Sequence, residues 1–278
     1  VVAGGKTFGL VIAGENFRKG AEVELRLNDR VLKVSDVRRL SSRAIYVVVP
    51  AQLIQESGKL ATTVRNPDGN RSQPIELDVR APEITGFGRS RIFAGSSNVT
   101  FDVLGRNFRS GARVYAGNAR VDNRHVRFRS SSRLTITLGE ELSRLLQKPD
   151  ALRIQVVNPN DADGVPSTDK TIAVVGPRIT DATIESIEHD ESKVRVVIDG
   201  ANFRRGATIE FFKVGMASAP IIQKKPATFS ATRLTVSMDA GTLDRIGNFS
   251  VRVVNPGTVP VVSSFFEPRF GDLASRDD

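Results

Sequence analysis

Cysteine is absent from this sequence of 278 residues, and tryptophan with it. There are two histidines, two tyrosines and two methionines. Without cysteine there is no disulfide framework, no thiolate metal site and no cysteine nucleophile. This does not fix the compartment, because secreted domains of ordinary size bury enough core to stand without crosslinks. His125 and His189 are isolated in NRHVRF and IEHDES, and neither belongs to a spacing that suggests a catalytic set. No nucleophile-elbow pattern and no phosphate-cradling glycine loop occurs. No apolar run approaches the roughly 18 residues that a membrane-spanning helix requires. The residue pattern therefore predicts no catalytic residue, no metal and no cofactor. NPNDADG (158–164) places Asp161 and Asp163 ahead of a glycine. It lacks the spacing and terminal glutamate of a calcium loop, and reads better as a polar turn.

What the sequence has is repetition. GENFRKGA (14–21), GRNFRSGA (105–112) and GANFRRGA (200–207) are three versions of G-x-N-F-R-x-G-A, with first glycines 91 and 95 residues apart. A second marker follows each at SSRAIYVVV, SSRLTITL and ATRLTVSM. A third follows at Asn66-Pro67, Asn158-Pro159 and Asn255-Pro256, 52, 53 and 55 residues after the first glycine. Three markers in a fixed order, three times, indicate three homologous units of about 90 residues.

Each unit reads as strands. Phe8, Leu10, Ile12; Val99, Phe101, Val103; and Val194, Val196, Ile198 alternate with other residues ahead of the first glycine. The segments before Asn158 and Asn255 alternate in the same way. Period two marks half-buried antiparallel strands, and about seven short strands in 90 residues predict a sandwich of two sheets. A short helical patch is expected in PAQLIQESG, GEELSRLLQKPD and DAGTLDRIGN. The expected domains are 1–80, 81–176 and 177–270, with a polar tail at 271–278. The joints are Ala81-Pro82 and Gly176-Pro177, where proline suits the first residue of an edge strand. No flexible Gly/Ser linker intervenes, so a semi-rigid rod of about 100 Å is expected from strands rising about 3.3 Å per residue. The first copy lacks the Pro-x-Ile opening, since its AGGKTF matches AGSSNV at 94–99. Its first strand is expected upstream of Val1, in a chain that opens without an initiator Met.

The order G-x-N-F-x-x-G-A, S-S/T-x-L-T-V, helical patch, V-x-V-x-N-P resembles the IPT/TIG family of immunoglobulin-like domains, of early-set type. The resemblance covers the chain three times, apart from the missing first strand and the tail. It departs at Ala44-Ile45 in copy one and at NPNDADG in copy two. It implies an all-β fold of three tandem sandwiches. Such domains occur in bacterial surface and adhesion proteins, plexin and growth-factor-receptor ectodomains, starch-converting enzymes and Rel-type transcription factors. A tandem array most resembles the bacterial extracellular kind. The function this implies is a non-enzymatic spacer, adhesion or ligand-binding segment of a surface or secreted protein, with a surface protein or an anionic glycan as partner. The alternatives are polyanion or nucleic-acid binding, and an accessory role beside a polysaccharide-acting enzyme.

The motif glycines Gly20, Gly111 and Gly206 are expected at positive φ, and Phe17, Phe108 and Phe203 as plugs of each core. The net charge of +9 is unevenly spread: residues 1–81 carry +4, 82–176 carry +5 and the rest is neutral. The densest stretch is RVDNRHVRFRSSSR, with Arg120, Arg124, Arg127, Arg129 and Arg133. Arg127 and Arg129 share a strand face, with Val126 and Phe128 expected to turn inward. Such a row suits a polyanion. The alternative is that the arginines are solvated and keep an edge strand from pairing with other chains. Scarce aromatics argue against a stacking platform for single-stranded nucleic acid, so nucleic acid is the less favoured partner. Copy one carries a parallel set in Arg26, Arg30, Lys33, Arg38, Arg39 and Arg43.

Overall fold

A computed structural model describes all residues except 35–36, 161–163, 188–189, 191, 216–218 and 271–278. The expectations that fall on Asp161, Asp163, His189 and the tail lie outside the described residues. The chain divides into two compact units. One comprises Val1–Gly88, Thr100–Thr137 and Arg153–Thr171, and the other Arg89–Val99, Leu138–Leu152 and Ile172–Asp278, so the division passes through the second repeat.

In the first unit, copy one supplies β1 (Phe8–Ala13), β2 (Glu22–Leu27), β3 (Arg30–Val34), β4 (Arg38–Ser41), β5 (Ala44–Val49), β6 (Gly58–Arg65) and β7 (Ile75–Val79). They form two antiparallel sheets, ordered β1-β5-β4 and β3-β2-β6-β7. Ile12, Ile45 and Val47 of one sheet and Val23, Leu25, Leu60 and Val64 of the other are buried in a single core. Period-two strands with one apolar face are satisfied by such face-to-face packing. Val165, from copy two, is buried in the same cluster.

Copy two continues with β8 (Glu83–Phe87), β9 (Arg91–Phe93), β10 (Val99–Arg106), β11 (Arg113–Ala116), β12 (Ala119–Arg120), β13 (Val126–Ser130), β14 (Arg133–Leu138), β15 (Asp150–Asn158), β16 (Val165–Pro166) and β17 (Lys170–Val175). One sheet is ordered β13-β14-β10-β8. A second ladder runs β12-β11-β15, with β16 also on β15. In the second unit β17 pairs β9 in parallel.

Copy three has β18 (Arg178–Ser186), β19 (Lys193–Ala201), β20 (Thr208–Lys213), β21 (Ile222–Lys224), β22 (Thr228–Phe229), β23 (Arg233–Asp239), α1 (Ala240–Ile246), β24 (Phe249–Asn255), β25 (Val261–Val262) and β26 (Arg269–Phe270). Its sheets run β22-β23-β19-β18-β26 and β21-β20-β24-β25, and both contribute to one core that includes Val196, Val236, Phe211 and Val251. The fold is all-β, of tandem immunoglobulin-like sandwiches. The helical patches are short: 3-10 turns at Ala51–Ile54 and Glu140–Leu146, and α1. β8 and β18 begin directly after Pro82 and Pro177. β8 is an edge strand as expected of a strand opened by proline, whereas β18 is flanked by β26, which adds in parallel.

Candidate functional site

The three markers that recur in the sequence meet in space. In each copy the strand ending at the first glycine turns through an asparagine at positive φ, with Asn16, Asn107 and Asn202 at 59°, 59° and 62°. The turn ends at Gly20, Gly111 or Gly206, at 84°, 81° and 86°, as expected where L side chains are strained. The turn amides reach the second marker: Phe17, Phe108 and Phe203 N–H groups donate to Ser42, Ser131 and Ala231 carbonyls at 2.9, 2.8 and 3.0 Å. The Asn-Pro asparagine closes the triangle. Asn66, Asn158 and Asn255 each accept from the backbone N–H of Arg18, Arg109 or Arg204 at 3.0 Å. Each donates through Nδ2 to the carbonyl of Asn16, Asn107 or Asn202, at 3.0, 2.7 and 2.7 Å. Phe17, Phe108 and Phe203 are buried, with their rings over the first glycines, where a Cβ would collide. The opening motif is therefore a structural clamp.

Its arginines are also engaged. Arg18 pairs with Asp68 at 3.0 Å. Arg204 donates to the Pro256 carbonyl at 2.8 Å and lies over the Phe93 ring, 5.4 Å from its centroid. Arg109 leaves one buried guanidinium nitrogen, Nη1, without a hydrogen-bond partner.

The five arginines singled out in copy two do not form one row. Arg120 sits on β12, on the ladder with β11, and donates to Asn123 Oδ1 at 2.9 Å. Arg124 lies in the 3-10 turn Asn123–His125 and pairs with Asp122 at 3.2 Å. Arg127 and Arg129 lie on β13, the edge of its sheet, and Arg133 opens β14. On this outer face a polar chain runs across three strands. Arg133 binds Asp102 through Nε, at 3.0 Å, and through Nη2. Thr135 donates to the other Asp102 oxygen at 2.7 Å and accepts from Arg129 Nε at 3.1 Å. The Arg133 guanidinium, then the Thr135 hydroxyl, hold the Asp102 carboxyl below the usual carboxylate range. Arg133 and Arg124 are thus charge-paired. Arg120 and Arg129 bond neutral groups, and among the described residues Arg127 has no polar partner.

Two expectations need correction. Phe128 does not turn inward: it is 41% exposed, on an edge strand whose ladder with β14 shifts register between Phe128 and Ser130. The basic set of copy one is spread over two sheets, with Arg26, Arg30 and Lys33 on β2 and β3 and Arg38 and Arg39 on β4. Arg30 pairs with Glu56 at 3.3 Å, and Arg39 Nε donates to the Phe17 carbonyl at 2.9 Å.

Sequence periodicity carried no sign of a cleft in copy three. A volume of about 680 Å³ opens beside α1, lined by Ile184, Val194, Leu243, Phe249, Glu267 and Arg269 among others. Arg269 pairs with Asp181 at 2.8 Å and holds that carboxyl below its ordinary value. Among the described residues no cluster of three metal-capable side chains occurs, and no helix is long and apolar enough to cross a membrane.

No family model and no curated protein matches the chain. Solved structures do. The I9–I11 tandem of titin is 12% identical, with 97% of this chain and 94% of that one covered and a TM-score of 0.34. SGBP-B from a complex xyloglucan utilization locus in Bacteroides uniformis is 13% identical, covering 94% and 95%, at 0.28. The plexin A4 extracellular region is 11% identical, covering 98% of this chain and 28% of that one, at 0.28. These likenesses say nothing of ligand or role.

Proposed function

We propose that the chain is a non-enzymatic spacer or adhesion segment of a bacterial surface or secreted protein, built from IPT/TIG-type domains that serve mainly to hold one another. The observation that carries this reading is the treatment of the joints. Asn107 Nδ2 donates to the Ala81 carbonyl at 3.0 Å and Asn202 Nδ2 to the Gly176 carbonyl at 3.2 Å, so the residue before each joint proline is tied to the clamp that follows it. In the first unit Asn160 Nδ2 also donates to the Gln55 carbonyl at 3.3 Å. In the second, Arg91 donates to Asn202 Oδ1 at 3.0 Å and Thr258 to Ser97 Oγ at 3.0 Å. A hinge that served motion would keep its backbone groups free. Amide ¹⁵N relaxation tests this: Ala81, Glu83, Gly176 and Arg178 should be as ordered as the flanking strands, with order parameters near about 0.85. Values at those four positions typical of a flexible linker would overturn the reading.

A second reading, binding of an anionic glycan or other polyanion, is favoured by one observation: Arg120, Arg127 and Arg129 are exposed and lack a carboxylate partner. Salt-sensitive binding to dextran sulfate would support it, and its absence at low ionic strength would dispose of it.

A further inference from the structure

We propose that the outer edge of β1 is a strand-acceptor site whose occupant is an extended segment of the Pro-x-Ile-Thr type. This segment would run antiparallel to β1 and join Val1 through a short loop.

The three copies supply the argument. Aligning first glycines sets β1 against β10 and β19. In copy two the edge of β10 carries β8, with Val103 opposite Phe87, Leu104 opposite Gly86, a bulge, and Gly105 opposite Ile84. In copy three β19 carries β18, with Gly200 opposite Ile179, a bulge, and Asp199 opposite Asp181. The bulge falls at the same place in both. Among the described residues β1 has only β5 as a ladder partner and ends its sheet. Its unpaired row of N–H and C=O groups is a template for another strand.

The side chains record the same vacancy. Val99 and Phe101 of β10 are 8% and 5% exposed. Their counterparts Phe8 and Leu10 are only partly buried at the rim of the copy-one core. In copy two the covering strand brings Ile84, 5% exposed, and Phe87, whose ring meets Phe101 edge-on at 5.9 Å. Copy three brings Ala182 and Ile184. The glycine at the end of each strand fits as well: a Cβ on Gly105 would strike the Glu83 carbonyl, and one on Gly200 the Arg178 carbonyl, both on the covering strand. Gly14 keeps the same bare backbone, with Phe17 the one contact its Cβ would meet.

The chain start is already docked for the purpose. Ala3, Gly4 and their hydrogen bonds to Arg80 and Ile54 carbonyls, at 2.9 and 2.7 Å, reproduce Ala94, Gly95 and their bonds to Val175 and Leu146, at 2.8 and 2.6 Å. In copy two the three residues 88–90 connect the covering strand β8 to β9, so a loop of that length ahead of Val1 reaches β1.

The test is to join residues 82–90 (PEITGFGRS) ahead of Val1 of the full chain, and in parallel to add them as a free peptide. Amide exchange at Val11–Glu15 is then followed. Fusion should slow exchange there about tenfold or more and raise the melting temperature, and the same fusion carrying Ile84→Asp in the added segment should do neither. Slowing by the free peptide as well would support the site. Exchange at β1 that is unchanged by fusion would overturn it. So would β1 amides already protected in a chain that sediments as a dimer, since a second copy would then be the occupant.

Discussion

Asn158 has two partners that nothing else can serve. It is fully buried, its Oδ1 takes the Arg109 amide and its Nδ2 feeds the Asn107 carbonyl. Truncation to alanine strands two backbone groups inside the protein, each costing about 1–3 kcal/mol. Asn158→Ala should therefore lower unfolding stability by about 2–4 kcal/mol, read from denaturant midpoints. Asn255→Ala, at a position 2% exposed with the same two bonds, should behave alike. Asn66→Ala should cost distinctly less, because that clamp is only partly buried and water can take over both groups. Equal losses at all three sites would mean that burial does not set the cost. Periodicity and spacing gave no warning of this role. The asparagines looked like markers of a strand end, because their partners lie about fifty residues away in sequence. The positive-φ glycines and the buried phenylalanines were legible, since φ > 0 and a lone aromatic in a turn are local signals.

Strands were legible where one face is buried, as in β10, β15, β19 and β24, whose alternation survives in the burial pattern. They were less so at edges. β13 keeps its arginines outward, yet Phe128 has no core to enter, and nothing in VRFRS distinguishes an edge strand from a central one. β26 was invisible for a similar reason, since two residues pair in parallel with β18 without any pattern of their own. The polar chain on the outer face of β10, β13 and β14 gives an electrostatic prediction for this element. Asp102 titrates below its unfolded value because Arg133 and Thr135 hold its charged form. A depressed carboxylate adds stability above the unfolded pKa, near about 3.9, and that stability is lost as pH falls through the lower folded value. Asp102→Asn should leave stability unchanged with pH across this interval where the native chain loses some. The comparison is of denaturant midpoints at pH 6 and stepwise to about pH 3. The effect should be modest, as the Arg133 side chain is 55% exposed. A matching pair, Arg233 with Asp199 at 2.6 Å, occupies the corresponding face of copy three. That copy is electrically neutral, so the recurring Asp–Arg pair belongs to the sheet and not to a ligand site.

For the whole molecule the question is what the net charge of +9 does once internal pairs are set aside. Arg133 and Arg124 are neutralised locally, and so are Arg18, Arg30 and Arg43, the last by Glu15 at 3.9 Å. Arg127 and Arg129 carry uncompensated charge on one strand, with exposed Phe128 between them. Long-range attraction for a polyanion depends on such charges and is screened within about 10 Å at 0.1 M salt. If the sheet edge binds anionic polymer, the double variant Arg127→Ala, Arg129→Ala should weaken retention on dextran sulfate and flatten its salt dependence by about two charges' worth. Arg133→Ala should affect it less, because the Asp102 it leaves behind offsets little that the pair contributed. If instead these arginines guard the edge, the double variant should bind dextran sulfate like the parent but self-associate, because an edge stripped of charge pairs with its neighbours. Sedimentation velocity of the same variant separates the two, and the roles are exclusive in their signatures: loss of binding with an unchanged monomer, or an unchanged affinity with a growing oligomer.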